Sequence, residues 1–379
     1  MINRIPVGLT AEQWDAIVSG LETHPSTIND YRKVLNLLHS YKDGSVRVNL
    51  MTREQAAEYY GYLDQRAAEG TLSANTVHRY KATLRSIGAR IEEAQSVFPG
   101  YVNPFTRLVK NEIRKPTVYT EDMFTDPDTI KRLFEALPEL KRTESLIIEL
   151  MLNTGFSPNQ INNLKVSDFH NDRAHPETLE LTVPVGILLE KTKNPYTESA
   201  YYNNGMPVEI ARTSASTVTW NYYGTYTFLD TYTDKLRSFV PDLGQNTDER
   251  SFFMTARHMN YSYRAMHHLI LVACQNAGLP ERALTPNQIS MYGMIKSYLL
   301  DTALRKHAEL DRKLAAAGSE AEKEKIRAEI HETEKVFLPL ARRGWIGNWK
   351  DRYPIPMQNQ INSIKQQLGE EFLLKAVGL

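Results

Sequence analysis

One segment of the chain, residues 146–168, limits the possible folds more than any other stretch. It opens with the apolar run LIIELMLNT, reaches Thr154-Gly155, and continues through the polar stretch SPNQINN to LKVSD. An apolar run that ends at a glycine is typical of a helix with a tight C-terminal turn. Ser157, which stands directly after that turn, is the most informative residue of the chain.

The segment resembles the first signature box of tyrosine recombinases, the phage-integrase family. In that box an apolar helix ends at Thr-Gly, an arginine follows, and a second helix leads to a leucine and an aspartate, matched here by Leu164 and Asp168. The arginine position holds Ser157, with Pro158 after it. The resemblance implies that the family's arginine clamps the scissile phosphate. A serine hydroxyl carries no charge and cannot form that bidentate contact, so the resemblance implies a recombinase that has lost its chemistry.

Composition excludes several classes of protein. The 379 residues suffice for two or three domains, and 45 Lys+Arg balance 45 Asp+Glu. A net charge of zero argues against indiscriminate coating of DNA but permits a locally basic face. The one cysteine, Cys274, lies in an apolar helical stretch and is read as a core residue. One cysteine allows neither a disulfide framework nor a zinc cluster. With no apolar run long enough to cross a membrane and no leader pattern, we expect a soluble cytoplasmic protein that needs no cofactor.

The first 110 residues predict a small all-α domain. Apolar residues at helical spacing indicate helices over residues 9–22, 26–42, 52–69 and 73–95, and a short helix after Asn103. Thr10 is the predicted N-cap of the first helix, with Gln13 at its third position. We predict domains at 1–110 and 126–379, joined by a charged linker at 111–125.

The second domain is predicted to be helical with a β-rich insert, which makes the chain mainly α with a small β-sheet. Residues 179–184 and 206–210 have strand-like patterns, with a turn predicted at Asn203-Asn204-Gly205. The stretch 212–234, rich in threonine and aromatic residues, fits either a strand pair or a loop. Residues 301–335 predict a long charged helix that breaks at 317–319, and its few apolar heptad positions favour a solvated antiparallel arm over a coiled coil.

The N-terminal half extends the resemblance. The sequences STINDYR from Ser26, SANTVHRYKATLR from Ser73, and Asn103-Pro104-Phe105 resemble the core-binding domain of tyrosine recombinases. In that family a helical bundle covers one face of DNA and the catalytic domain covers the other. Between residues 73 and 115, eight Lys/Arg oppose three acids, a net charge of +5. The alternative is an ordinary solvated helix face. The predicted DNA-binding residues here are Asn75, Thr76, His78, Arg79, Lys81 and Arg85.

The second and third boxes of the family also lack their charged residues. After Leu284-Thr-Pro, the histidine position holds Asn287 and the arginine position holds Ser290. In the last box Gly344 stands at the histidine position, although Trp345 or Trp349 offers a substitute. Tyr353 stands at the nucleophile position, and we interpret it as a packing residue or a relic. Stabilising a phosphate transition state depends on such charges.

The remaining candidate side chains are basic residues and one histidine pair. The lysine of the family's β-hairpin corresponds to Lys191 or Lys193, and Arg342 and Arg343 are further predicted DNA contacts. His267 and His268 are consecutive on a helix and therefore cannot both face one metal ion, so we predict no metal site.

The resemblance implies a double-stranded-DNA-binding protein of tyrosine-recombinase fold that does not cleave DNA. It is functionally similar to the recombinase-like master repressors of SPβ-type Bacillus phages, which implies a sequence-specific transcriptional repressor of a phage or mobile element in a bacterial cytoplasm. One alternative is an active recombinase whose arginines come from elsewhere: Arg142, Arg257, or Arg342 with Arg343. A second alternative is an accessory subunit.

The C-terminal helix, residues 359–377, bears on self-association. In the active family a C-terminal helix docks on the neighbouring protomer. Here the residues that form an amphipathic stripe are Ile361, Ile364, Leu368, Phe372, Leu373 and Val377. The same stripe can equally pack within its own chain.

Overall fold

The structure is a computed structural model of the 379-residue chain. It describes residues 5–21, 25–106, 108, 118–191, 200–201, 207–214, 217–245, 247–255, 261, 263–281, 283–342 and 344–379. The chain forms two compact units, residues 1–117 and 118–379, each with its own hydrophobic core. The predicted fold class, mainly α with a small β-sheet, is confirmed.

The described part of the first unit is helical. Its α-helices are α1 Ala11–Val18, α2 Pro25–Ser40, α3 Arg53–Ala68 and α4 Ala74–Glu93. Each corresponds to a predicted helix and is shorter than predicted. The predicted N-cap is confirmed, because the Thr10 side chain accepts from the Gln13 amide while Gln13 accepts from the Thr10 amide. Both bonds satisfy amides that have no partner inside the helix.

One face of α4 lies at the centre of the first core. The buried residues Val77, Leu84, Ile87 and Ile91 recur at helical spacing and pack against α1, α2 and α3. Where a short helix was predicted to begin after Asn103, the described residues 104–106 form a turn. The Asn103 side chain holds this turn by donating to the Arg85 carbonyl and accepting from the Phe105 amide.

The second unit contains the remaining helices and all the described strands. The helices are α5 Pro127–Ala136, α6 Arg142–Thr154, α7 Pro158–Asn163, α8 Asp230–Phe239, α9 Tyr263–Asn276, α10 Pro286–Ala316, α11 Glu320–Arg342, α12 Ile355–Leu368 and α13 Glu371–Ala376. The strands are β1 Phe169–Asn171, β2 Leu179–Lys191, β3 Ala200–Tyr201, β4 Pro207–Ser214, β5 Thr217–Phe228 and β6 Gly347–Trp349.

The sheet is antiparallel, with strand order β1-β2-β5-β4-β3 and β6 paired to β5. The stretch 212–234, for which strand pair and loop were both open, holds the end of β4, all of β5 and the start of α8. Strand β5 is central rather than peripheral, since it pairs with β2, β4 and β6. Tyr222 and Tyr226 alternate along it into the core. The turn predicted at residues 203–205 lies outside the described residues.

Half of the predicted linker belongs to the second unit. Residues 111–117 lie outside the described part of the chain, but 118–125 pack on the core. The Tyr119 amide donates to the Gln367 side chain at 2.8 Å, and Phe124 contacts Phe372 edge-on. The second unit therefore begins about eight residues before the predicted boundary at 126.

Two predictions concern the C-terminal third of the chain: a charged helical arm and an apolar stripe. Helices α10 and α11 pack on each other and are separated at residues 317–319, as predicted for a charged helical arm. The stripe predicted on one helix over 359–377 is divided between α12 and α13 and packs within its own chain: Ile361, Ile364 and Leu373 are at most 1 % exposed. The structure thus shows the stripe in contact with its own chain, and self-association through the C-terminal segment stays a prediction. No described helix is both long and apolar enough to cross a membrane.

Candidate nucleic-acid interface

The candidate DNA-binding face of the first unit lies along α4. Ser73 caps the helix by accepting from the Thr76 amide, which fixes where it begins. Asn75 and Arg79, one turn apart, are exposed, and His78 and Arg85 are half-buried. Side chains separated by three, four or seven residues share one face of a helix. These four residues therefore form one polar surface strip, here called the α4 strip.

Positive charge in the α4 strip comes from two arginines. Among the described residues, neither Arg79 nor Arg85 forms an ion pair. The Arg79 guanidinium lies 5.8 Å from the centre of the Tyr80 ring. Guanidinium groups without an acidic partner are available to phosphate or to base edges. The arrangement can hold a nucleic-acid backbone, and nothing in it requires a cofactor.

Lys81, which was predicted to contact DNA, lies on the buried face of α4 and not on its exposed face. The residue is 3 % exposed, and its ammonium lies 2.6 Å from the Asp64 carboxylate and 5.3 Å from the centre of the Tyr60 ring. A buried ammonium requires such partners. Lys81 therefore anchors α4 to α3 and offers no charge to DNA.

Arg90 likewise has a structural role. Its guanidinium donates to the carbonyls of Ile17 and Ser19, at 3.3 and 2.8 Å, where α1 ends. A cation at that end satisfies free carbonyls and complements the helix dipole. The four basic residues counted at 107, 110, 114 and 115 lie outside the described residues. The predicted net charge of +5 thus overstates the basic surface that the described part of α4 presents.

In the second unit, the first two boxes are in direct contact. Gly155 ends α6 with a φ of +75°, and a Cβ on it would stand 2.6 Å from the Met294 Cα. A Cβ on Gly293 would overlap the Met151 carbonyl oxygen. Two glycines therefore let α6 and α10 approach backbone to backbone. The Ser290 hydroxyl crosses this contact and donates to the Gly155 carbonyl at 2.8 Å.

Ser157 serves as a helix cap. Its hydroxyl accepts from the Gln160 amide, and the Gln160 side chain in turn accepts from the Ser157 amide at 2.8 Å. Gln160 also donates to the Pro184 carbonyl of β2 at 3.1 Å, which ties α7 to the sheet. The position at which the resemblance implies an arginine is thus part of a local capping motif.

Asn287 is exposed in the first turn of α10 and Ser290 is buried one turn later. The helix starts at Thr285, which forms a reciprocal cap with Gln288. None of the three box positions 157, 287 and 290 carries a positive charge. The structure brings them to one region around the contact of α6, α7 and α10, without a cation from these positions to bind phosphate.

Tyr353 is buried in the core of the second unit. It is 2 % exposed, and its hydroxyl donates to the Met294 carbonyl at 3.0 Å. Its amide donates to the Asp301 carboxylate at 3.3 Å. Burial raises the pKa of the phenol well above its usual value, and the charge of Asp301 raises it further. A nucleophilic tyrosine must reach the phosphate and lose its proton, and both are opposed here.

The glycine and two tryptophans of the last box occupy different environments. Gly344 has a φ of +83°, and a Cβ on it would overlap the ring of Phe134. Trp349 is 1 % exposed and donates its indole N–H to the Ser297 hydroxyl at 3.0 Å. Trp345 is half-buried, and its indole nitrogen has no hydrogen-bond partner in the described structure. Of the two proposed substitutes for the histidine, Trp349 is therefore committed to the core.

The other predicted basic contacts are only partly described. Lys191 pairs through its backbone with Thr217 at the end of β2, and its side chain lies outside the described residues. Lys193 and Arg343 also lie outside them. Arg342 is exposed in the last turn of α11.

The substitute arginines of the active-recombinase alternative are also constrained. Arg142 stands at the first residue of α6, where it donates to the Lys235 carbonyl and the Ser238 hydroxyl. Gly155 lies at the opposite end of that helix, roughly 20 Å away at 1.5 Å per residue. Arg142 therefore cannot fill the place of an arginine at position 157. Arg257 lies outside the described residues.

One buried polar contact between α10 and α6 was not predicted from the sequence. Lys296 is completely buried, donates to the Asn153 side chain at 2.8 Å and lies 5.6 Å from the centre of the Phe134 ring. It links α10 to α6 just behind the Gly155–Ser290 contact. No local signal marks it, since its partners lie more than 140 residues earlier in the chain.

No protein-family model and no curated protein sequence matches the chain. Solved structures do resemble it. The XerH site-specific recombinase bound to palindromic difH substrate is 14 % identical, with a TM-score of 0.41 over 72 % of this chain and 69 % of that one. The Tn1549 transposon integrase in complex with transposon right end DNA is 12 % identical, with a TM-score of 0.39 over 87 % and 97 %.

A lambda integrase dimer bound to a COC′ core site is 15 % identical, with a TM-score of 0.36 over 76 % of this chain and 86 % of that one. At these identities and TM-scores, the likeness by itself supports no assignment of activity.

Proposed function

We propose that this protein binds double-stranded DNA sequence-specifically, does not cleave it, and acts as a transcriptional repressor of a phage or mobile element. One observation carries the proposal: the Tyr353 hydroxyl, at the nucleophile position of the resemblance, is buried and donates to the Met294 carbonyl. Attack on a phosphate would require this hydroxyl to leave the core and lose its proton.

The loss of charge at the boxes supports the same conclusion. Ser157 and Ser290 stand at the two arginine positions, and both hydroxyls are used in hydrogen bonds within the protein. Removing one preorganised donor from an enzyme commonly costs about 10²–10³ in rate. Positions 157 and 290 carry no guanidinium, and Tyr353 is buried. These three residues therefore provide no route to strand cleavage in the described structure.

Binding of DNA is supported by the α4 strip. Asn75, His78, Arg79 and Arg85 combine positive charge with short polar side chains, which suit phosphate oxygens and base edges respectively. A chain of net charge zero gains little from bulk electrostatic attraction, so specific contacts carry more of the affinity. This balance favours a regulator that recognises selected sites over a protein that coats DNA.

The first experiment is crosslinking in the native cell, immunoprecipitation and sequencing of the bound DNA. Several short sites that share a motif near promoters are the expected result. A single site at an element boundary would instead favour recombination, and no enrichment would overturn DNA binding in favour of a protein partner.

Absence of cleavage is tested separately on the recovered site. A nicked duplex traps a covalent protein–DNA adduct if the protein is an active recombinase. We expect no adduct with the wild-type chain. An adduct that disappears in Tyr353→Phe would overturn the proposal, since it would require the buried hydroxyl to act as a nucleophile.

A further inference from the structure

A second candidate site lies in the second unit, along the middle of α10. A cavity of about 570 Å³ opens along this helix from Tyr298 to Glu309, and Arg352 and Gln358 line it from the segment around α12. Asp301, which lines it, lies 14 residues beyond Asn287, or roughly 21 Å along the helix axis. The cavity is therefore distinct from the first two boxes, although Tyr353 of the last box also lines it.

The carboxylates that line the cavity already have partners. Asp301 receives two hydrogen bonds from the Arg305 guanidinium, at 2.9 and 3.1 Å, and one from the Tyr353 amide. Glu309 pairs with Lys313 at 2.6 Å. Both negative charges are thus neutralised by residues of this chain.

Two cations that line the cavity lack such partners. Among the described residues, neither Lys306 nor Arg352 forms an ion pair. The Nε of Arg352 is shielded from solvent and has no hydrogen-bond partner in the described structure. A buried cationic donor without an acceptor is costly, and a native structure rarely leaves one without a reason.

We propose that this cavity binds the oxyanion of a small molecule, either a phosphate or a carboxylate, between Arg352 and Lys306. A guanidinium presents donors in a planar fork that matches both groups, and an ammonium adds a compact second charge. The side chains of Tyr298, Thr302 and Gln358 offer further donors around the cavity. Because Asp301 pairs with Arg305 and Glu309 pairs with Lys313 outside the lining, Lys306 and Arg352 favour an anion. The volume admits more than a single inorganic ion.

Arg352 is the residue that distinguishes this cavity from its neighbour. A second cavity of about 230 Å³ shares Tyr298, Thr302 and Lys306. Its other lining residues are Leu299, Ala303, Glu332, Thr333, Val336, Glu370, Leu373 and Leu374. Lys306 is common to both, whereas Arg352 lines the larger one alone. A variant of Arg352 therefore tests the proposed oxyanion site specifically.

The test titrates the full-length protein with inorganic pyrophosphate and, separately, with citrate, by calorimetry and by the NMR signal of the Arg352 Nε–H. We expect at least one probe to bind saturably and to shift that signal. Binding by Arg352→Gln should be weaker by about 10- to 100-fold, as for the loss of a charge-assisted hydrogen bond. Arg352→Lys should restore part of it.

Lys325→Gln is the matched control, because it removes one positive charge from an exposed position on α11. It should bind the probe as the wild-type chain does. A preference for pyrophosphate would identify a phosphate ligand, and a preference for citrate a carboxylate ligand. The proposal is overturned if neither probe binds saturably, or if Arg352→Gln and Lys325→Gln weaken binding equally, which would indicate diffuse attraction. Unchanged thermal unfolding of each variant excludes misfolding as the cause.

Discussion

The hydroxyl of Ser290 donates a hydrogen bond to the carbonyl oxygen of Gly155, 2.8 Å away and 135 residues earlier in the chain. The bond satisfies a carbonyl at the end of α6, which has no partner within that helix. The resemblance to tyrosine recombinases places Ser290 at an arginine position. In this structure the hydroxyl at that position has a structural use.

The first prediction concerns this bond. Ser290→Ala should lower the free energy of unfolding by about 0.5–1.5 kcal/mol, because it leaves a buried carbonyl without a donor. Thr302→Ala removes an exposed hydroxyl from the same helix and should change stability much less. Urea denaturation of both variants measures the difference. Equal effects would show that the bond to Gly155 contributes nothing.

A second prediction concerns the close approach of α6 and α10. Gly293→Ala would place a methyl group against the Met151 carbonyl oxygen. We expect a loss of about 1–3 kcal/mol from overpacking, although alanine is the better helix former. A Cβ on Gly318, between α10 and α11, meets no atom within 4 Å. Gly318→Ala should therefore leave thermal unfolding nearly unchanged, and a comparable loss there would contradict the steric account.

The burial of Tyr353 predicts a dependence of stability on alkaline pH. The folded-state pKa of its phenol is raised by burial and by Asp301. Its contribution to stability is therefore complete below the unfolded pKa of about 10 and is lost as the pH rises beyond it. In Tyr353→Phe the free energy of unfolding should fall less steeply above that pH. Tyr226, whose pKa burial also raises, keeps part of the slope. Identical pH profiles would contradict the buried position.

Lys350 clamps β6 to the edge of the sheet and predicts an acid dependence. Its ammonium lies 2.6 Å from the Asp172 carboxylate and 2.8 Å from that of Glu180, which is 3 % exposed. The hydrogen bond from Lys350 holds the pKa of Asp172 below its usual value. This contribution is present above the unfolded pKa of about 3.9 and is lost as the pH falls through the lower folded-state pKa.

Lys350→Met should therefore cost about 1–3 kcal/mol at neutral pH, since Glu180 loses a partner while water still reaches the site. Below a pH of about 3.9, the unfolded pKa of an aspartate, Lys350→Met should also lose less stability than the wild-type chain does. Lys375→Met breaks an exposed pair with Glu121 and should cost under about 1 kcal/mol. Denaturation at a series of pH values measures both effects, and an acid dependence unchanged in Lys350→Met would contradict the clamp.

Local patterns in the sequence predicted local structure well. The cap at Thr10 and the helix break at residues 317–319 each depend on a few consecutive residues, whose preferences are set by their own backbone bonds. The central place of β5 was not predicted, because strand order depends on pairing with β2 and β6 rather than on the strand itself. The same holds for the contact of Lys296 with Asn153, which joins distant parts of the chain.

The same difference between local features and contacts of distant residues applies to the candidate site. The absence of charge at positions 157, 287 and 290 is visible in the sequence, and burial of Tyr353 agrees with its interpretation as a packing residue. Its partner Met294, 59 residues earlier in the chain, was not predicted. Lys81 was predicted to contact DNA because the basic residues were counted without regard to the face of α4 on which each one lies. Its spacing from Val77 and Leu84, four residues after one and three before the other, puts it on the buried stripe. Its acceptor, Asp64, lies on another helix, so the sequence alone did not reveal the pair.

The last prediction separates the two kinds of basic residue on α4. Arg79→Ala and Arg85→Ala should weaken DNA binding while leaving unfolding nearly unchanged, because neither arginine forms an ion pair among the described residues. If each contacts one phosphate, each loss should reduce the slope of log K against log salt by about 0.9. Lys33→Ala, which changes an exposed lysine on α2, is the matched control and should leave binding unaffected.

Lys81→Ala should instead destabilise the first unit, since it removes the partner of Asp64 and leaves a cavity beside Tyr60. Gel shifts at several salt concentrations, together with thermal unfolding, distinguish these outcomes. Full binding by the Arg79→Ala, Arg85→Ala double variant would exclude the α4 strip as the DNA contact.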